Sequence, residues 1–298
     1  MKIPIIFLGT GQAIPTIKRN HTSILLEYKD ENLLIDCGEG TQRQFRKLHL
    51  NPGKITRLLI THWHGDHVLG IPGLLQTLAL NGYNKRLYIY GPQGTEYFMN
   101  KIMQMYVYEG KLDYVIKEII TGEVFETQDF KVEALPMEHR TKCLAYAFKE
   151  KDKIRIDKAK LKKLKIKGKI IGELAKGNDI EFEGKKIKAE DLTYEEKGKK
   201  IAFLFDTRLN ENCFKIAENS DLLISEAAYT QEEENLAAEH LHLTAEQTAG
   251  IAKKSNCKKL VLAHLSQRYE NREHLILKEA KKTFKNSLIA EDLTSLEV

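Results

Sequence analysis

The chain has 298 residues, 42% of them hydrophobic, and a formal net charge of +5, enough apolar material for a sizeable core and too much for a disordered chain. No apolar run approaches the roughly 20 residues of a membrane span, and Met1 to Leu8, MKIPIIFL, is too short for a signal-peptide core. The expectation is a cytoplasmic protein with no membrane contact. Cys37, Cys143, Cys213 and Cys257 stand far apart without a CxxC pair, which excludes a disulfide framework or a cysteine zinc knuckle and suits small buried hydrophobes.

Ile3 to Leu8 reads as a buried strand ending in Gly9-Thr10-Gly11, followed by a loop through Pro15 and Lys18-Arg19-Asn20. Ser23 to Tyr28 and Asn32 to Asp36 form a hairpin signal across Lys29 to Glu31. Asp36, before Cys37-Gly38-Glu39-Gly40, is placed to accept hydrogen bonds from a neighbouring loop rather than to bind a ligand itself. Thr41 to Leu48 has helical spacing. Then comes LLITHWHGDHVLG, Leu58 to Gly70, where an apolar strand end delivers His62, His64, Asp66 and His67 within one short turn. A solvated loop seldom selects three imidazoles and a carboxylate. Such a turn can aim imidazoles at one point and a carboxylate at a second point beside it, which suits two adjacent divalent metals with nitrogen and oxygen ligands.

Two metals need further ligands, and later strand ends supply them. Ile71 to Leu80 reads as a helix, Leu87 to Tyr90 as a strand, and Gly94 to Tyr106 as a helix. Strands alternating with helices predict an α/β layered fold. Phe130 to Leu135 alternates and is followed by His139, and Cys143 to Phe148 resumes a strand. Ile201 to Phe205 ends in Asp206, a carboxylate able to bridge two metals. Leu222 to Ile224 leads to Glu226. Thr230 to Ala252 reads as helical material interrupted at His240 to Thr244, with Thr244 as the cap of the second helix. Leu260 to Ala263 is the last core strand, with His264 at its end, and Arg272 onward reads as a terminal helix with a weaker tail.

Between Lys149 and Lys169 stand eleven Lys or Arg against three acids, so the chain's basic character is concentrated there. Such a run is either a solvated face or an electrostatic grip on a phosphate backbone. Lys158 to Lys169 reads as an amphipathic helix and an extended piece with Leu161, Leu164 and Ile166 as its few apolar residues. We expect an inserted arm over 149–200 with no core of its own, protruding from a single domain that spans 1–298.

The order His62-x-His64-x-Asp66-His67, His139, Asp206, His264 resembles the metallo-β-lactamase superfamily, and more narrowly the short form of the ribonuclease Z family of tRNA 3′-processing endonucleases. Gly9-Thr10-Gly11, the Pro15 to Asn20 loop, Asp36-Cys37-Gly-Glu-Gly-Thr-Gln, Asp206-Thr207-Arg208, Glu226-Ala227, His242-x-Thr244-x-x-Gln247 and His264-x-Ser266-x-Arg268-Tyr269 carry the narrower likeness across nearly the whole chain. Trp63 departs from it, standing where the family more often has an aliphatic residue. Lys18 comes one position later than in the usual bacterial loop. Gly168-Lys169 replaces the arm's common Gly-Pro pair.

The resemblance implies an αββα sandwich of two mixed sheets flanked by helices, two Zn2+ per subunit and a homodimer. It assigns His62, His64 and His139 to one zinc and Asp66, His67 and His264 to the other, with Asp206 between them. The implied reaction removes the 3′ trailer from precursor tRNA by attack of a metal-bridging hydroxide on phosphorus. It leaves a 3′-hydroxyl on the tRNA and a 5′-phosphate on the trailer. Asp66 would orient the nucleophile or receive its proton. His242, oriented by Glu226, would protonate the departing oxygen, a role the family's His-x-Thr element favours over the neighbouring His240. The arm, with Lys158, Lys160, Lys162, Lys163, Lys165, Lys167 and Lys169, falls where the family binds the tRNA elbow. Two readings compete: a zinc hydrolase of a small thioester, lactam or cyclic nucleotide, which needs neither the arm nor the Glu226 and His242 pair, and a non-catalytic RNA-binding module, which has no need of intact ligands.

Overall fold

The computed structural model describes every residue except Met1, Glu109 and Lys169. Two compact units emerge: Met1–Glu126, Val132–Phe148 and Lys200–Val298 form the first, and Thr127–Lys131 with Lys149–Lys199 the second.

The first unit holds two seven-stranded sheets. In one, the spatial order is Thr294–Glu297, Pro4–Gly9, Ser23–Tyr28, Glu31–Ile35, Arg57–Leu59, Arg86–Pro92, Asp113–Ile119. The first four strands pair antiparallel, and the pairs from Glu31–Ile35 onward are parallel. In the other, Ser287–Ile289, Leu260–Ala263, Leu222–Glu226 and Lys200–Leu204 run parallel, followed by Cys143–Glu150, Phe130–Met137 and Gly122–Glu126.

The central strands read as continuous apolar runs because both of their faces are covered. Outside the first sheet, Phe45, Leu74, Leu75, Leu78 and Met99 pack from the helices Thr41–Lys47, Ile71–Leu80 and Thr95–Met105. Outside the second, Cys213, Ile216, Ala249, Ile251, Ile276 and Ala280 pack from Glu211–Ala217, Ala245–Lys254 and His274–Thr283. Between the sheets, Tyr28 meets Phe148 with ring centroids 5.2 Å apart, and the buried Tyr146 hydroxyl donates to the Ile60 carbonyl at 2.8 Å. The layers are therefore helix, sheet, sheet, helix.

The sequence reading misses Asp113–Ile119, Gly122–Glu126, Ser287–Ile289 and Thr294–Glu297 in the large sheets, and Lys153–Ile156, Ile180–Phe182, Lys185–Ile187 and Thr193–Glu196 in the insertion. Each lies at or beside a sheet edge, where partial exposure weakens the alternation of apolar residues. The interruption expected at His240 to Thr244 is real. Glu234–His240 ends at Leu241, whose φ of 58° is left-handed, and Thr244 opens Ala245–Lys254 with a reciprocal capping box to Gln247.

The second unit corrects the expectation that the inserted segment lacks a core. Leu161, Ile166, Leu174, Ile180, Ala189 and Leu192 are buried together. Counting only the lysine-rich stretch misses Leu174, Ile180, Ala189 and Leu192, which arrive later in the insertion. Leu164, one of the three apolar residues noted in the lysine-rich stretch, is 43% exposed. Asp157 caps the helix Lys158–Lys163 by accepting from the Ala159 and Lys160 amides. Lys158, Lys160, Lys162, Lys163, Lys165 and Lys167 are all exposed, with Lys160 Nζ donating to the Asp191 carbonyl at 2.8 Å. Lys169 lies outside the described residues.

Candidate active site

The site gathers at the carboxyl ends of strands from both sheets of the first unit, where parallel strands leave a crevice. Three residues that follow strand ends share a backbone feature: Asp36, Asp206 and His264 have φ of 57°, 40° and 53°. A left-handed turn there bends the chain off its strand and swings the side chain across the sheet edge. It costs roughly 1–2 kcal/mol per residue, a strain of the kind concentrated at functional sites.

These turns and the loop after Arg57–Leu59 bring all seven expected ligands into two sets. In the first, His64 Nδ1 lies 3.0 Å from His62 Nε2 and 3.1 Å from His139 Nε2, and Asp206 Oδ2 is 3.5 and 3.6 Å from the same two Nε2 atoms. In the second, Asp66 Oδ2 lies 3.5 Å from His67 Nε2 and 3.9 Å from His264 Nε2, while Asp206 Oδ1 is 3.3 and 3.0 Å from them. The Asp206 carboxylate thus divides its oxygens between the two sets.

Partners behind the imidazoles fix which nitrogen faces inward. His67 Nδ1 donates to Asp36 Oδ2 at 2.7 Å, and Asp36 also accepts from the Thr61 amide at 2.7 Å and the Thr61 hydroxyl at 2.8 Å. Because the Thr61 hydroxyl proton is committed to Asp36, its oxygen is left to accept from His62 Nδ1 at 3.1 Å. Thr22 Oγ1 donates to the Gly11 carbonyl and so accepts from His264 Nδ1 at 2.7 Å. His139 Nδ1 donates to the Leu241 carbonyl at 3.2 Å. In each case the Nε2 lone pair is left free, as metal ligation requires.

The buried atoms His67 Nε2, His264 Nε2 and Asp206 Oδ1 have no hydrogen-bond partner, which is costly unless a cation completes them. Burial, together with the facing His67, pushes His62 well below the ordinary imidazole range, and burial lowers His64 and His139 as well. Burial opposes charge on His67, yet Asp206, Asp66 and Asp36 outweigh it and raise that imidazole well above its ordinary value. Burial likewise opposes charge on Asp206, and His264, His67 and His62 override it. Convergent carboxylates calling for positive charge, with imidazole lone pairs beside them, fit divalent metal ions of the zinc class.

Beside the two sets stand Glu226 and His242. Glu226 is fully buried. Its Oε1 accepts from the Thr207 amide at 2.7 Å, and its Oε2 accepts from His242 Nδ1 at 2.9 Å and the Leu243 amide at 3.2 Å. Burial alone would lower the His242 pKa, but the charge and hydrogen bond of Glu226, with Asp206 and Asp66 beyond, raise it to about 9. His240 is half-buried against Tyr229 and beside Arg140. His21 is buried with its Nε2 on the Ala13 carbonyl, and His274 opens the last long helix.

Sequence reasoning missed four contributors. Gln12 Nε2 lies 2.9 Å from His242 Nε2, the Ala13 amide donates to Asp66 Oδ2 at 2.8 Å, and Thr22 and Thr61 orient imidazoles. All but Thr61 come from the loop after the first strand. Its only visible signal is the unusual length of polar chain between two buried strands.

The family model of the anti-Pycsar protein Apyc1 matches residues 3–159. Ribonuclease Z of Methanothermobacter thermautotrophicus is 40% identical over 99% of this chain and 96% of its own length. Among solved structures, human tRNase Z short form superposes with a TM-score of 0.73 at 28% identity, covering 98% of each chain. The metallo-β-lactamase fold protein YhfI of Bacillus subtilis gives 0.72 at 18% identity, covering 100% of this chain and 99% of its own, a likeness of fold alone.

Proposed function

The chain belongs to the ribonuclease Z family and, over residues 3–159, to that of the anti-Pycsar protein Apyc1, and we propose that it is a zinc-dependent endoribonuclease that removes the 3′ trailer from precursor tRNA. It is a tRNA 3′ endonuclease and thus a phosphodiester hydrolase with the metallo-β-lactamase fold. The observation that carries the finer reading is Asp206, whose two oxygens serve two ligand sets next to an imidazole held by a buried carboxylate.

In this reading His62, His64 and His139 would hold one zinc and Asp66, His67 and His264 the other, with Asp206 offering an oxygen to each set. When bound, the pair of cations acidifies water and neutralises charge on the phosphate. The chain's own groups do the rest. Asp66, steadied by the Ala13 amide, orients the attacking water and takes its proton. As the bond from phosphorus to the tRNA 3′-oxygen breaks, that oxygen needs a proton. His242 Nε2 gives it, with Glu226 holding Nδ1 so that the ring stays aimed and its charge is stabilised. Products are a 3′-hydroxyl on the tRNA and a 5′-phosphate on the trailer.

Exposed Lys158, Lys160, Lys162, Lys163, Lys165 and Lys167, with Lys169, would supply a salt-sensitive grip on the RNA backbone without base readout. In this reading 149–200 is an inserted tRNA-binding exosite within the catalytic domain. A homodimer and a cytoplasmic address complete the proposal. No described helix is long and apolar enough to cross a membrane.

A second reading is hydrolysis of a small substrate by the same ligand sets. The Apyc1 match stops before the strand ends that carry Asp206, Glu226 and His264, whereas the ribonuclease Z relative spans them. The test is incubation of the purified protein with a 3′-extended tRNA, with and without a chelator. Metal-dependent release of a 5′-phosphorylated trailer is expected. Absence of cleavage in the zinc-loaded protein refutes the reading. Deleting Lys158 to Lys169 should lower kcat/KM for precursor tRNA far more than for a small phosphodiester, and equal losses would favour the second reading.

A further inference from the structure

One residue of the metal turn takes no part in ligation: Trp63, the chain's single tryptophan. Its indole Nε1 donates to Thr95 Oγ1 at 2.9 Å, and its ring stacks on Phe98 with centroids 5.0 Å apart and planes 26° from parallel. Tyr97 meets Phe98 edge-on at 5.3 Å and 74°. Phe98 is 41% and Tyr97 60% exposed, so the row of three rings runs from inside the metal turn out to solvent.

Neighbouring elements hold this corner against the site. A Cβ on Gly91 would lie 2.4 Å from Thr95 Oγ1 and 3.3 Å from Ile60 Cβ. The missing side chain thus lets the start of the helix Thr95–Met105 close on the strand end that leads to His62. Just before that helix, Gln93 Oε1 accepts from Lys142 Nζ at 2.9 Å, tying the corner to the loop that carries His139. Lys101 Nζ stands 5.6 Å from the Tyr97 ring centroid. The helix start is no anion cradle, since its Gly94 and Glu96 amides already donate to Glu118 Oε1 at 2.9 and 3.0 Å. What the corner presents is ring faces flanked by lysines.

We propose that Phe98 and Tyr97, backed by Trp63, form a stacking platform for unpaired nucleobases of the RNA trailer. The inference rests on the tRNA-processing reading above. In such a substrate the acceptor stem is paired, so the bases free to stack near the cut are those of the trailer. Every base offers a π-face, so stacking tolerates any trailer sequence, and Lys101 and Lys142 supply cations for the intervening phosphates.

The test compares steady-state cleavage of a precursor tRNA with that of the same molecule carrying abasic trailer nucleotides, for the wild type and for Phe98→Leu and Tyr97→Leu, which keep apolar bulk at each position. At about 1–3 kcal/mol per stacked base, the abasic trailer should raise the wild-type KM by about fivefold or more with little change in kcat. Phe98→Leu should lose a similar factor on the normal trailer, the two losses should not multiply when combined, and Phe98→Tyr should restore KM. Trp63 emission should shift on binding the normal precursor and less on binding the abasic one. Losses that multiply, a Phe98→Leu enzyme with unchanged KM, or a Phe98→Leu enzyme with a changed oligomeric state, which marks this face as covered by a second copy, would each overturn the proposal. A wild type that cuts neither precursor refutes the tRNA-processing reading itself.

Discussion

Asp36→Asn is the sharpest probe of how the centre is held, because Asp36 stands behind His67 and is not one of the seven candidate ligands. Its carboxylate, wholly buried, accepts three hydrogen bonds, from the Thr61 amide, the Thr61 hydroxyl and His67 Nδ1. Asparagine keeps the size and tolerates the left-handed backbone at φ 57°, but it turns one oxygen into a donor. Placed toward the Thr61 amide, that NH2 faces another donor. Placed toward His67, it forces the imidazole into the other tautomer and puts a proton on the Nε2 that faces the second ligand set. Loss of such an outer partner weakens metal binding by about 10- to 100-fold, equivalent to about 1.4–2.7 kcal/mol. Competition with a chromogenic chelator measures it, and one of two bound ions should be lost selectively. Wild-type affinity and stoichiometry in the variant would refute the claim that Asp36 sets the His67 tautomer.

Other outcomes follow from the same contacts. His242→Ala should lower kcat on precursor tRNA by about 10²–10⁴ with metal content unchanged, and the loss should shrink on a diester whose leaving group needs no proton. Gln12→Ala, which frees His242 Nε2 of its 2.9 Å neighbour, should reduce kcat severalfold and leave metal content intact, as plasma emission spectrometry would report. Tyr146→Phe strands the Ile60 carbonyl between the sheets. It should cost about 1 kcal/mol, read as a lower denaturation midpoint with an unchanged slope.

The gathering of the seven candidate ligands was legible in the sequence because its signal is local. Asp206 and His264 follow apolar runs directly, and His62, His64, Asp66 and His67 crowd into one short turn just past Leu58 to Ile60, where polar ligand-type residues have few other reasons to gather. Supporting groups carry no such mark. Thr22 is one threonine among many until the fold sets its hydroxyl against His264, 242 positions away, and Gln12 meets His242 across 230. Edge strands failed for a related reason. Thr294–Glu297 is defined by its pairing with Pro4–Gly9, and nothing in four mostly exposed residues announces a partner at the other end of the chain. In the insertion, Leu174, Ile180 and Leu192 look scattered one by one, and only the folding of the segment on itself gathers them.

Each ligand set draws two residues from either sheet: His62 and His64 face His139 and Asp206, and Asp66 and His67 face His264 and Asp206. A cation in either set would therefore act as a rivet through the seam between the sheets. Its binding free energy would be shared with the docking of the two halves, adding stability by mass action whenever metal is present above its dissociation constant. The coupling runs both ways. A substitution far from the centre that loosens the seam, such as one at Tyr28 or Phe148, would register first as leakage of metal, making metal retention a sensitive gauge of the integrity of the whole sandwich.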